Sequence, residues 1–477
     1  MTQHASSALV WFRQDLRLAD NPALAAAIAS GRRVLPFYLL DDESPGAWRL
    51  GGASRWWLHH SLLALAASLE ARGATLLLRR GPAATAIPAL VAETSAAELH
   101  AGRMHEPWAR EVEAKLQPAL GGRLHLHRTA TLFELDAIRT GSGGAYAVYT
   151  PFARACRTRL AVADPLPAPE RIHGAPPPRS DRLEDWGLLP GHPDWAAGLR
   201  ATWEVGEAAA VSRLHSFLAE AVFGYKSARN QLGQPGTSML SAHLHWGELS
   251  PRQVWHATRS VAPGEGLDAY LGEILWREFA AYLLWHNPAL PERPLRPAFD
   301  SLPYRDAPAE LGAWQRGRTG FPIVDAGMRQ LWRIGWMHNR VRMIAASFLV
   351  KQLLIDWREG ERWFWDTLVD ADLASNAASW QWVAGSGIDS QPFVRVFNPV
   401  TQGETWDQAG EYVRRWVPEL ARVPDRWVHA PWTAPAAVLE HAGLVLGRDY
   451  PRPIVDLAET RRRALAAYRS TVRAEAA

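Results

Sequence analysis

The chain has 477 residues, 48% of them hydrophobic and 21% charged, with a formal net charge of +3; at roughly 100–200 residues per domain that allows two or three domains with cores of their own. The single cysteine, Cys156, excludes a disulfide framework and any cysteine-rich zinc or iron–sulfur site, and it fits a reducing cytoplasm. No run reaches the roughly 18 apolar residues of a membrane span, and the first residues, MTQHASSALVWF, lack the basic and apolar regions of a secretory leader, so no membrane partner is expected.

In chain order, ALVWF (8–12) reads as a buried strand and NPALAAAIAS (21–30) as a helix with Pro22 in its first turn. RVLPFYLL (33–40) is a second strand, residues 53–73 a helix ending at Gly73, and TLLLRRG (75–81) a third strand. TAIPALVAET, AELHAG and LHLHRTATLFE (124–134) continue the alternation, which predicts an α/β domain over 1–135 with a Rossmann-like parallel sheet. No G-x-G-x-x-G follows its first strand, so a dinucleotide fingerprint is absent there. Residues 136–201 read as an interdomain linker, with the Pro- and Gly-rich stretch 161–193 inside it. From 202 to 477 the pattern is almost all helical, including one long run from Asp325 to Trp357.

Four stretches of the helical half could carry chemistry. Thr237, Ser238 and Ser241 surround a helix start, which suits either an ordinary N-cap or a phosphate site. Glu273, Trp276 and Arg277 share one helix face; the spacing fits a surface Glu–Arg pair or a pocket that stacks a planar ring and hydrogen-bonds its edge. Asn339, Arg342 and Met343 share another, with Arg333 and Arg340 nearby. Asp372, Asn376 and Trp380 recur every four residues, and Asp370 adds a second carboxylate. No His/Cys set stands beside the carboxylates, so no metal is expected. The seven Arg/Lys against three Asp/Glu between Arg329 and Arg362 suit a phosphate backbone or a solvated face, and the 24 tryptophans suit stacking or plain core.

Taken together, WFRQDLRLADNPAL, YTPFARAC (149–156), TSMLSAHLHWGELSP, ILWREF, GRTGFPIVDAGMRQL, GWMHNRVRMIAASFLVKQLLIDWREGE, WQWVAGSG and FNPVTQGETWD run nearly end to end in an order that resembles the DNA photolyase/cryptochrome family, specifically its class I cyclobutane pyrimidine dimer photolyases. The resemblance implies an N-terminal antenna domain and an all-α C-terminal domain that binds FAD. It implies that Tyr225, Thr237, Ser238, Leu240 and Ser241 lie near the FAD phosphates, and that Trp276, Arg277, Asn339, Arg342, Asp370, Asp372 and Asn376 face the cofactor. Glu273, Trp276, Arg342, Met343 and Trp382 would receive a dimer flipped out of UV-damaged DNA. Trp380 and Trp357 match two members of a photoreduction chain whose third, surface member falls at Tyr304, with Trp314 as a substitute. Glu106 stands near the antenna carboxylate of folate-binding members, so methenyltetrahydrofolate, an 8-hydroxy-deazaflavin or no antenna are all compatible. The implied protein is a cytoplasmic monomer, a deoxyribodipyrimidine photo-lyase. The rival is a cryptochrome-like light sensor, which typically carries Asp at the position of Asn376 and a long tail.

Overall fold

The computed structural model describes residues 7–475 apart from Ile388 and Gln391. Five parallel strands, β1 (Ala8–Phe12), β2 (Val34–Leu40), β3 (Leu77–Arg80), β4 (Glu98–Gly102) and β5 (Leu124–His127), form one sheet in the order β3-β2-β1-β4-β5. Alternate residues of β1 and β2 serve opposite faces. Val10, Phe12, Tyr38 and Leu40 pack with the helices Pro22–Ala29 and Gly52–Glu70. Leu9, Trp11, Leu35 and Phe37 pack with Ala83–Glu93 and Pro107–Ala119. Burial on both faces is why these strands are continuous apolar runs rather than alternating ones.

The strand order reverses between β1 and β4, the place where open α/β sheets hold ligands. Here the chain leaving β1 is instead docked on the helical half. Leu16 N–H donates to Trp246 O (3.2 Å) and Arg17 Nη1 to Gly247 O (2.8 Å). Gly247 has φ +65°, and a Cβ there would lie 2.1 Å from Gln14 O, so the close approach requires glycine. Arg17 is fully buried and also donates to Asp20 O (2.7 Å) and Thr129 O (2.9 Å). Asp20 in turn is paired with Arg252 at 2.8 Å. The segment leaving β1 is thus committed to contacts with the helical half.

Residues 136–201 hold a helix, Tyr149–Arg159, whose Phe152 meets Phe279 of the long helix Glu265–His286 with ring centroids 5.0 Å apart. The Pro-rich part lies along the sheet domain, with Ile172 N–H on Arg72 O (2.7 Å) and a bridge from Gly174 to Val34. The long helical run expected from Asp325 to Trp357 is broken. Pro322–Ile334 ends at Gly335 in the left-handed region, Asn339–Ser347 follows and passes into a π-helical turn, and Leu354 (φ +56°) separates that from Trp357–Thr367. The apolar periodicity is real, but a left-handed glycine ends a helix whatever the pattern around it.

Glu265–His286 ties the two halves together. Its Glu278, 1% exposed, accepts the N–H groups of Leu132 and Phe133, both at 2.9 Å. Its neighbour Arg277 donates to Ala130 O (2.7 Å) and Leu244 O (3.2 Å). Replacing Glu278 by Ala strands two buried donors and should cost about 2–4 kcal/mol in chemical denaturation; a change below about 0.5 kcal/mol would show that water satisfies them.

Candidate active site

The helix Leu373–Ala384 begins at Asp372, whose carboxylate accepts Ser375 N–H at 2.7 Å. The same carboxylate is faced from two sides by rings, His105 Nε2 from the sheet domain and His245 Nδ1 from the helical half, each at 3.9 Å. At that distance neither ring is within hydrogen-bond reach of the carboxylate. Burial works to raise the Asp372 pKa, but His245, His105 and Arg277 outweigh it and hold the carboxyl far below the usual range. Asp370 receives Arg342 Nη2 on both oxygens (2.8 and 3.1 Å), and Arg342 Nε donates to Met337 O (2.7 Å). Asn376 is buried and gives its amide N–H to Glu361 O (3.0 Å), which fixes its orientation.

Nε2 of His105 and both ring nitrogens of His245 are buried without a protein partner. Buried polar atoms of this kind demand one. Two imidazoles, two carboxylates, an amide and two guanidinium groups converge here, a donor and acceptor set that fits the ribityl and ring-edge polar atoms of a flavin. The segment 237–241 adds strained backbone: Met239 is left-handed (φ +50°), with Ser238 and Leu240 on either side and Leu240 N–H on Ser238 Oγ (3.4 Å). Neither Thr237 nor Ser238 caps the five-residue helix Ser241–His245, so the ordinary-cap alternative does not describe them. Ser241 Oγ instead accepts Trp336 Nε1 (3.1 Å). Tyr225 is 7% exposed, edge-on to Phe217 and Tyr270. Asn339 is exposed at the first turn of its helix, while Met343 and Trp382 are half-buried.

The Glu273–Arg277 pair allowed by spacing does not form. Glu273 is paired with Arg229, from a short helical stretch 44 residues earlier, and Arg277 is spent on the two carbonyls. Glu273 and Trp276, the latter 37% exposed, therefore look outward while Arg277 and Glu278 look inward. Arg229, His245 and Glu361 were not singled out from sequence; only HLHWG, inside a motif already noted, carried any signal for His245.

The aromatic chain also differs from expectation. Trp380 (2% exposed) touches Phe364 at 5.0 Å and Trp314 at 6.2 Å, and a Cβ on Gly360 would strike its ring at 2.1 Å. Trp314 is 0% exposed with its Nε1 on Ala345 O (3.0 Å), so it does not lie at the surface; it packs against Trp380. Tyr304 keeps its hydroxyl buried without a protein partner, and burial raises its pKa. Glu106 is 1% exposed, with His105 N–H on its carboxylate (3.2 Å), so its carboxylate is turned inward rather than to an open cleft.

Because the Asp372 carboxyl is held below its ordinary value, its contribution to stability is present above roughly pH 4 and lost as pH falls further. Asp372→Asn should cost about 3 kcal/mol at neutral pH, and the gap to the parent protein should narrow between about pH 4 and 2; a gap independent of pH would contradict the electrostatic account.

Residues 270–470 match the model of the FAD binding domain of DNA photolyase, and residues 8–170 match that of DNA photolyase. A deoxyribodipyrimidine photo-lyase of Agrobacterium fabrum is 47% identical, covering 98% of each chain. Cryptochrome-1 of Arabidopsis thaliana is 36% identical over 95% of this chain and 69% of its own length. A solved Agrobacterium tumefaciens protein, described as a bacterial class III photolyase, superposes with TM-score 0.95 at 46% identity over 99% of each chain. These matches give no support to the class I expectation. Nearly complete coverage at this identity, together with the geometry above, leads to one conclusion: this chain belongs to the DNA photolyase/cryptochrome family and has an FAD-binding helical domain.

Proposed function

We propose that the chain is a light-driven DNA repair enzyme that reverses cyclobutane pyrimidine dimers, a deoxyribodipyrimidine photo-lyase of class III. The observation that carries this reading is the two-sidedness of the helix Glu265–His286. Its half-buried Arg277 is spent on the carbonyls of Ala130 and Leu244, while the adjacent indole of Trp276 and, one turn earlier, the carboxylate of Glu273 face outward. A sensor needs the first surface; an enzyme acting on a base needs both.

The residues present fit FAD. Asp370, Asp372, Asn376, Arg277, Arg342 and Asn339 would hold its ring and ribityl side, and Tyr225, Thr237, Ser238, Leu240 and Ser241 its phosphates. Fully reduced FAD, when bound and excited by light, supplies one electron that opens the cyclobutane ring and returns afterwards. The protein's part is binding and orientation. A dimer stacks and pairs poorly, so extruding it from a duplex costs less than extruding normal bases. Trp276 and Trp382 supply apolar walls, Met343 adds adaptable apolar lining, and Arg342, whose charge Asp370 neutralises, would contribute guanidinium N–H donors. Glu273, exchanging Arg229 for a pyrimidine edge, accepts a hydrogen bond from a ring N–H of the dimer and so orients it. Trp380 and Trp357, both buried, would carry an electron inward to keep the flavin reduced. The partner is UV-damaged DNA, bound by a monomer, and an antenna chromophore of folate or deazaflavin type would only widen the usable light. Among the described residues no helix is long and apolar enough to cross a membrane.

Purified protein should show flavin absorption bands, and illumination with a dimer-containing oligonucleotide should restore thymine absorbance. Flavin photochemistry without that recovery would favour the sensor. Trp276→Ala should weaken dimer binding at least about fivefold, the loss of a stacking platform, while retaining flavin; unchanged affinity would remove Trp276 from the lesion site. Trp380→Phe should slow photoreduction of oxidised flavin at least about tenfold, yet leave repair by chemically reduced protein intact. Equal loss of both would mean the substitution damages the fold.

A further inference from the structure

The first residue of the motif YTPFARAC lies against the exposed indole of Trp276. The ring of Tyr149 stacks on the indole of Trp276 with centroids 3.6 Å apart and planes 7° from parallel. The Tyr149 hydroxyl donates to Gly272 O (2.8 Å), on the same helix one turn before Trp276. Its backbone N–H, at the start of the helix Tyr149–Arg159, donates to Asp389 Oδ2 (2.7 Å). That helix has no capping side chain of its own, so Asp389 satisfies a donor that would otherwise be orphaned. Asp389 lies just past the helix Leu373–Ala384, which carries Trp382. Tyr149 is therefore fixed by its ring, its hydroxyl and its backbone, the first two on the helix of Trp276 and the third on Asp389 in the segment after the helix of Trp382.

An indole has two stacking faces. With Tyr149 on one and the residue still 37% exposed, Trp276 offers a single face to a ligand ring, already in place. We propose that Tyr149 is a positioning residue for the lesion: it backs Trp276, restricts the flipped pyrimidine pair to the opposite face of the indole, and through Asp389 keeps the Trp382 wall in register with it. This rests on the assignment of Trp276 to the lesion site. Holding an aromatic side chain in its bound orientation beforehand removes part of the ordering cost of binding, and the face-to-face contact with Tyr149 covers one face of the indole and opposes its rotation. Non-specific attraction to DNA phosphates does not depend on it.

Dark binding of flavin-loaded protein to duplexes with and without one thymine dimer tests the idea. Tyr149→Leu, which removes the ring, should lose about threefold to tenfold in dimer affinity, with undamaged DNA and flavin content unchanged. Tyr149→Phe, which keeps the ring, should stay within about twofold of the parent. Asp389→Ala, which leaves the stack untouched and frees the helix start, should cost about twofold to threefold in dimer affinity alone. In protein carrying 5-fluorotryptophan, the Trp276 fluorine resonance, assigned by Trp276→Phe, should shift in Tyr149→Leu and hold in Tyr149→Phe. Parent-like dimer affinity in Tyr149→Leu, or equal loss on damaged and undamaged DNA, overturns the inference. If Tyr149→Leu does not fold, Asp389→Ala and the fluorine signal of Tyr149→Phe still decide: no dimer-specific loss and a moved resonance overturn it. Unchanged binding in Trp276→Ala would instead overturn the lesion-site assignment itself.

Discussion

Buried charge has to be paired, and in this molecule that requirement determines where the two halves meet. Arg277 and Glu278 are consecutive on one helix, and both are spent on backbone groups of the segment leaving β5. Arg17 does the reciprocal service from the sheet domain, donating to Gly247 O, Thr129 O and Asp20 O while fully buried. Removing one partner from such a contact leaves a desolvated group behind, which costs more than the contact itself is worth. The interface is therefore held in one arrangement, and the helix Glu265–His286 has one orientation. With its inward residues fixed, Glu273 and Trp276 have nowhere to point but outward.

The same logic organises the polar interior. Asp372 is a carboxylate with one hydrogen bond from backbone and rings from both domains facing it, so its charge is stabilised jointly by sheet and helices. Asp370 and Arg342 neutralise one another close by. The imidazole nitrogens left without protein partners are the groups that a polar ligand would satisfy. A flavin bound among them would gain hydrogen bonds whose desolvation cost folding has already met.

The sheet was legible because burial on both faces leaves an unambiguous mark: ALVWF and RVLPFYLL are uninterrupted apolar runs, and their observed bounds differ from the reading by a residue or less. Helix Glu265–His286 was legible from its periodicity. What sequence did not reveal depends on contacts distant along the chain. The spacing of Glu273 and Arg277 says that they can meet, not that Arg229 and two carbonyls compete for them and win. Nothing local separates the fully buried Trp314 from an exposed tryptophan, or shows that Glu106 turns inward beneath His105. The run from Asp325 to Trp357 kept its apolar period through Gly335 and Leu354, whose left-handed backbone breaks it. Tyr149 was part of a recognised motif, but its partner on Trp276 lies more than a hundred residues away.

A crystal structure of the flavin-loaded protein with a thymine-dimer duplex tests the central claim most directly. The account predicts the dimer outside the helix, one pyrimidine against the solvent face of Trp276 and Glu273 drawn off Arg229 onto its edge. A dimer left within the duplex, or bound with the Glu273–Arg229 pair intact and Trp276 untouched, would contradict it.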